Sequence, residues 1–212
     1  MELILIFTGA FIVALSGALV PGPLLTITVA QSLKRGFKAG PLIIAGHAIL
    51  ELALITAILL GFKNFLGREA VIITVYFAGG IMLIYMGTKL FSANKIPSPE
   101  ESDTPDKDYE THPVISGILV SLSNPYWLIW WITIGLGYII KALKYKYMGL
   151  AFFFGGHITA DLAWYSIVSF TISRGKTKIT GTALYKNLIT ACGVFLILFG
   201  LWFIGSGLYK IL

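Results

Sequence analysis

Charge is what this chain has least of. Only 12% of its 212 residues are Asp, Glu, Lys or Arg, about half the ~25% usual for a soluble globular domain. One cysteine, Cys192, is present; it excludes an intramolecular disulfide and, lying in an apolar stretch, says nothing about redox compartment. A basic segment ahead of the first apolar run is also missing. The chain opens Met1-Glu2, and the run that follows is too long for the core of a secretory signal peptide, so no cleaved leader is expected. The net charge of +6 sits in loops. It fits positive residues retained on one side of a membrane, and no nucleic-acid partner is expected.

What is there instead is apolar: 57% of residues are hydrophobic and the mean hydropathy is +0.84. The excess is gathered into runs almost free of charge, at 3–33, 39–62, 70–88, 113–140, 147–173 and 187–209. Each has roughly the length of a helix that crosses the hydrocarbon core, ~20 residues. The expected fold is therefore an all-α membrane protein with six transmembrane helices, residues 1–212 forming a single integral membrane domain with no room for a soluble one. The segment 92–113 is the one long polar connection. It is rich in Pro97, Pro99, Pro105, Glu100, Glu101, Asp103, Asp106, Asp108 and Glu110, and it reads as a flexible acidic linker between a three-helix repeat at 1–91 and a second at 114–212.

Two passages match across that linker: Gly46-His47-Ala48-Ile49-Leu50-Glu51-Leu52 and Gly156-His157-Ile158-Thr159-Ala160-Asp161-Leu162. Each holds the only acid of its run, and its His lies four residues earlier, on the same helical face. A repeat of three spans inverts its second copy in a bilayer, so the pattern predicts two inverted three-helix repeats with an ionisable group near the midplane of each. The glycines agree: Gly80 and Gly87 in the third span, Gly193 and Gly200 in the sixth, share a two-turn spacing suited to close helix approach. Glycine-rich faces of this kind also leave room for a homodimer.

A charged acid at the bilayer centre costs ~2.5–3.5 kcal/mol on insertion scales, and Leu would pack as well. Glu51 and Asp161 are therefore read as functional, with the chemistry of proton carriers. His47 and His157 could orient the acids or share their protons. Four such groups could also hold zinc, but nothing else in the sequence points to a metal, and no cofactor is assigned. The substrate path is expected at two helix breaks. Pro21, Gly22 and Pro23 interrupt the first span, and Asn124-Pro125 interrupts the fourth, with Ser121 and Tyr126 alongside; lost backbone donors survive in a membrane only where they line a cavity or face protein. Trp127, Trp130 and Trp131 read as a helix face or interfacial belt.

Loops one, three and five hold ten Lys and Arg against six in the remainder. This bias places the amino terminus outside a cell membrane that the chain crosses several times.

Over nearly its whole length the sequence resembles the lysine exporter superfamily (LysE/RhtB type) of small amino-acid efflux proteins. The resemblance is carried by Gly17-x-x-x-Pro21-Gly22-Pro23, by Gly36, Gly40 and Gly46, by the acid Glu51 where members more often show Asp, by Asn124-Pro125 and by Asp161-x-x-Trp164-Tyr165. Tyr126 stands where the family often has Lys. The resemblance implies a six-span secondary exporter of amino acids or related small polar metabolites, driven by protons through alternating access, and no enzyme. The alternative is efflux of a divalent metal cation through the same acid- and His-lined site. A thiol oxidoreductase would need two intramembrane cysteines, and an intramembrane hydrolase finds no further catalytic signature.

Overall fold

The computed structural model describes residues 1–19, 22–62, 65, 68–92, 111–179 and 182–211. Pro21 and positions 93–110 of the acidic linker lie outside them. The described residues are helical, with no strand among them: α1 (Glu2–Ala18), α2 (Pro23–Arg35), α3 (Ala39–Ala57), α4 (Glu69–Ser92), α5 (Pro113–Leu122), α6 (Pro125–Trp130), α7 (Leu136–Leu143), α8 (Lys146–Ile179) and α9 (Ala183–Ile211). A π-helical segment, Trp131–Gly135, joins α6 to α7, and a second, Ile58–Phe62, closes α3.

Proline punctuates the chain. Pro23, Pro113 and Pro125 each occupy the first turn of their helix, where a missing N–H removes no intrahelical bond. The two breaks expected from sequence are therefore helix ends. At the first, α1 stops at Ala18, and α2 restarts with Gly22 as an extended N-cap (φ −158°, ψ −177°) that makes no side-chain capping bond. The two helices meet at 76°. At the second, Asn124 caps α6, its Oδ1 accepting the Tyr126 N–H at 3.0 Å. The caps differ in what they leave open: Asn124 satisfies a backbone donor, and Gly22 has no side chain to do so.

Among the described residues, four helical stretches are long and apolar enough to cross a membrane: Ala39–Gly61, Glu69–Leu90, Pro125–Leu143 and Lys186–Ile211; the bent pair α1–α2 would make a fifth. Helix α8 has 34 residues but is more polar, carrying His157, Thr159, Asp161, Ser169 and Thr171 along its length.

The main pairings are α1 with α8, α3 with α5, and α4 with α9. Small residues make them possible. The Cβ that Gly80 lacks would lie 2.7 Å from the Gly200 carbonyl oxygen, and that of Gly87 2.7 Å from the Gly193 carbonyl oxygen. The glycines matched in sequence thus face each other in antiparallel helices, and the matched faces are occupied within one chain. Around them Leu83, Leu90, Ile189, Leu196 and Phe203 are fully buried. Between membrane helices, where lipid is as apolar as Leu, dispersion across such close contacts is the main attraction. A side chain at Gly46 would collide with the Val114 carbonyl of α5, and one at Gly156 with the Phe7 carbonyl of α1. In both matched passages the glycine brings a partner helix against the backbone just before the histidine.

Candidate functional site

The two matched passages meet. Helix α3 presents His47 and Glu51, α8 presents His157 and Asp161, and all four residues are buried. Their facing atoms lie within 4.8 Å of one another. His47 Nε2 is 3.0 Å from Glu51 Oε1 and 3.7 Å from Asp161 Oδ2. His157 Nε2 is 3.2 Å from Glu51 Oε1 and 3.5 Å from Asp161 Oδ2. Each imidazole therefore stands between the two carboxylates, one from each helix.

The aromatic cluster takes a part that sequence reasoning did not assign to it. Trp127 and Trp131, one turn apart, both turn their indole N–H groups to Glu51 Oε1, at 3.2 and 2.9 Å. Trp131 opens the π-helical segment, a local widening often found at functional sites. Its ring, with those of Trp130 and Phe153, packs around His157, at centroid distances of 5.4, 4.9 and 6.2 Å. His47 has a polar second contact instead: its Nδ1 lies 2.6 Å from Ser121 Oγ, at the end of α5. A Trp triplet in a membrane helix carries the same sequence signature whether it faces lipid headgroups or a buried acid. Only the i,i+4 spacing of Trp127 and Trp131 hinted that the two share a face.

Glu51 and Asp161 are unlike. Four nitrogens crowd on Glu51 Oε1, although a carboxylate oxygen offers only two lone pairs, while its Oε2 is buried without a hydrogen-bond partner. Asp161 Oδ2 makes no hydrogen bond and has the two imidazole nitrogens at 3.5 and 3.7 Å. Carboxylates bring acceptors and no donor, so each imidazole meets Oε1 through an Nε2 hydrogen or across a shared cation. The contacts on Oε1 exceed its available lone pairs, and Asp161 Oδ2 is a second acceptor within reach of both imidazoles.

The cluster opens on a cavity of about 450 Å³, whose lining includes Gly22, Pro23, Asn124 and Tyr126 as well as the four ionisable residues. Both chain breaks thus border the space that holds both acids. Pro125 is buried behind its cap and Tyr126 is half exposed. Of the expected site residues among those described, Ser121 reaches the cluster through His47, and Pro125 acts through the helix it starts.

A family model described as LysE type translocator matches residues 15–207. The chain belongs to the LysE type translocator family. The match takes in both breaks and both His-acid passages. A curated relative, the "Putative amino acid efflux protein YcgF" of Bacillus subtilis (strain 168), is 24% identical over 208 residues, spanning 98% of this chain and 99% of the relative. No solved structure matches the chain. Membership identifies this LysE type translocator as a multi-pass membrane protein of an efflux family, which bears out the resemblance carried by its glycine, proline and acid motifs.

Proposed function

We propose that this chain is a secondary active exporter of amino acids or related small polar metabolites, worked by proton-coupled alternating access of two inverted three-helix repeats. The observation that carries the reading is the meeting of one His-acid pair from each half in a single cavity bordered by both breaks. Family membership and the curated relative's name support the substrate class. The helix pairings support the inverted repeat. If the spans of the first half correspond in order to those of the second, then contact of one with five requires contact of four with two, and three must meet six. The pairings α1 with α8, α3 with α5, and α4 with α9 follow that rule.

In this reading the substrate ammonium approaches Glu51 Oε2 and Asp161 Oδ2. The carboxylate faces the first turn of α2, where backbone N–H groups lack a side-chain cap and the helix dipole favours an anion. Protons enter the cluster from outside and leave inside as the repeats rock. The two imidazoles, one from α3 and one from α8, change partners between Glu51 and Asp161, and a change of partners can bias which side is open.

A second reading has one observation in its favour. A tetrahedral ion with bonds of about 2.0–2.1 Å sets its donor atoms about 3.3–3.4 Å apart, and the four imidazole-carboxylate separations run from 3.0 to 3.7 Å. In that case a divalent cation such as Zn²⁺ is the cargo. Proteoliposomes separate the two: with an imposed pH gradient, the exporter moves amino acids and leaves Zn²⁺, Mn²⁺ and Co²⁺ behind. Gradient-driven movement of a divalent cation without any amino acid would establish the second reading.

We also propose that the amino terminus faces outside. Lys144, exposed between α7 and α8, then lies outside. In a Cys192→Ser background, Lys144→Cys should be modified by an impermeant maleimide on intact cells. Modification only after permeabilisation reverses the orientation.

A further inference from the structure

The cavity has an aromatic wall that the export reading leaves unused. Tyr126 of α6 stacks on Trp202 of α9, with centroids 5.4 Å apart and planes at 24°. Phe199 meets Trp202 edge-on at 5.3 Å. All three line the cavity, whose exposed surface is mostly apolar. We propose that this wall selects amino acids with a bulky apolar or aromatic side chain. The proposal rests on the amino-acid export reading and specifies its substrate.

Three features of the cavity direct the choice. First, its acids are concentrated at one point, with their atoms and those of the histidines inside 4.8 Å. They serve one cation, the α-ammonium, and leave no carboxylate for a second cation at the end of a Lys or Arg side chain. Second, no Lys or Arg is among its described lining residues, and its two histidines already face Glu51 and Asp161, so an acidic side chain finds no cation of its own, and burying an unpaired charge is costly. Third, Tyr126 and Trp202 turn ring faces to each other. A cation over a ring needs its open face, whereas an apolar side chain gains from contact with edges and faces alike. A small side chain such as that of alanine would leave this wall uncovered and lose the burial it offers.

The test is counterflow in proteoliposomes, with L-phenylalanine, L-leucine, L-alanine, L-lysine and L-glutamate compared at equal concentration. A pocket that reads apolar bulk separates substrates by about 10–200-fold per step of size. Phenylalanine and leucine should therefore exchange at least about tenfold faster than alanine, lysine or glutamate. Trp202→Ala should lower the phenylalanine-to-alanine ratio about tenfold, and Trp202→Phe should restore most of it. Because the readout is a ratio within one preparation, a loss of folded protein cancels. Lysine or alanine moving as fast as phenylalanine, or an unchanged ratio in Trp202→Ala, overturns the proposal and leaves the exporter reading standing. Exchange of none of the amino acids overturns both.

Discussion

Asp161→Asn is expected to abolish accumulation driven by a pH gradient, lowering the initial rate at least about 100-fold, while the protein inserts and folds as before. The expectation comes from the inequality of the two acids. Glu51 Oε1 is tied by two indole N–H groups and faces two imidazoles. Asp161 Oδ2 has only the imidazoles, at 3.5 and 3.7 Å, and no hydrogen bond. A carrier must gain and lose its proton without dismantling its surroundings, and Asp161 is the acid whose neighbours least depend on its charge. The groups facing it are His47 and Glu51 from α3 and His157 from its own helix, with Tyr165 one turn further on and also lining the cavity. Asn keeps the size and removes the titration. A loss of about 100-fold corresponds to about 2.7 kcal/mol. The pH profile of transport is the decisive readout, because a merely structural role would lower rates without flattening it. Wild-type rates with an unchanged profile in Asp161→Asn would show that Asp161 carries no proton.

The ionisable residues of this site were legible in the sequence because each acid is alone in its apolar run and each His precedes it by one helical turn. Nothing in a lipid-facing helix calls for such a pair, so chemistry was the economical explanation. Pro23 and Pro125 were legible as breaks for a similar reason, since each removes a donor that a helix interior cannot spare; that each starts a new helix, as Pro113 does too, was not legible. The partners of these residues were not legible. That Ser121 reaches His47 depends on α3 lying against α5 with Gly46 admitting the Val114 carbonyl, a contact between residues far apart in the chain. The part played by Trp127 and Trp131 depends on a π-helical turn whose position no propensity marks. The number of spans was read from apolar length, and there α8 shows the limit of that signal. Its His, Asp, Ser and Thr residues lower its hydropathy because it supplies half of the polar cluster and a second buried contact, Ser169 with Ser32 at 2.7 Å.

The glycines tie the symmetry of the chain to its chemistry. Gly46 and Gly156 each precede a site histidine and each receive a carbonyl of a neighbouring helix, so two close helix approaches lie one residue from the ionisable cluster. Positions there are held by backbone contact rather than by flexible side chains. In the proposed alternating access, such contacts would keep the acids at their mutual spacing while the outer ends of the helices move.

Glu51 is expected to hold the structure together as well as to take part in transport. Glu51→Ala leaves the Trp127 and Trp131 indole N–H groups and both imidazoles without their shared acceptor in a largely buried site. Each unsatisfied buried donor costs about 1–3 kcal/mol, and breaking a buried charged pair costs about 3–5 kcal/mol. With about 2–4 °C per kcal/mol for a chain of this size, the thermal midpoint of the purified protein should fall on the order of 10 °C. Asp161→Ala, which removes no such hub, should lower it by a few degrees. Glu51→Gln should fall between, since its amide oxygen still accepts from the indoles while its NH₂ turns donors toward the imidazoles. The same three variants in the transport assay then sort the two acids: Asp161 substitutions lose coupling in a stable protein, and Glu51 substitutions lose stability and transport together. Equal losses of midpoint in Glu51→Ala and Asp161→Ala would show that the convergence on Oε1 contributes nothing to stability, and the division of labour between the two acids would fall with it.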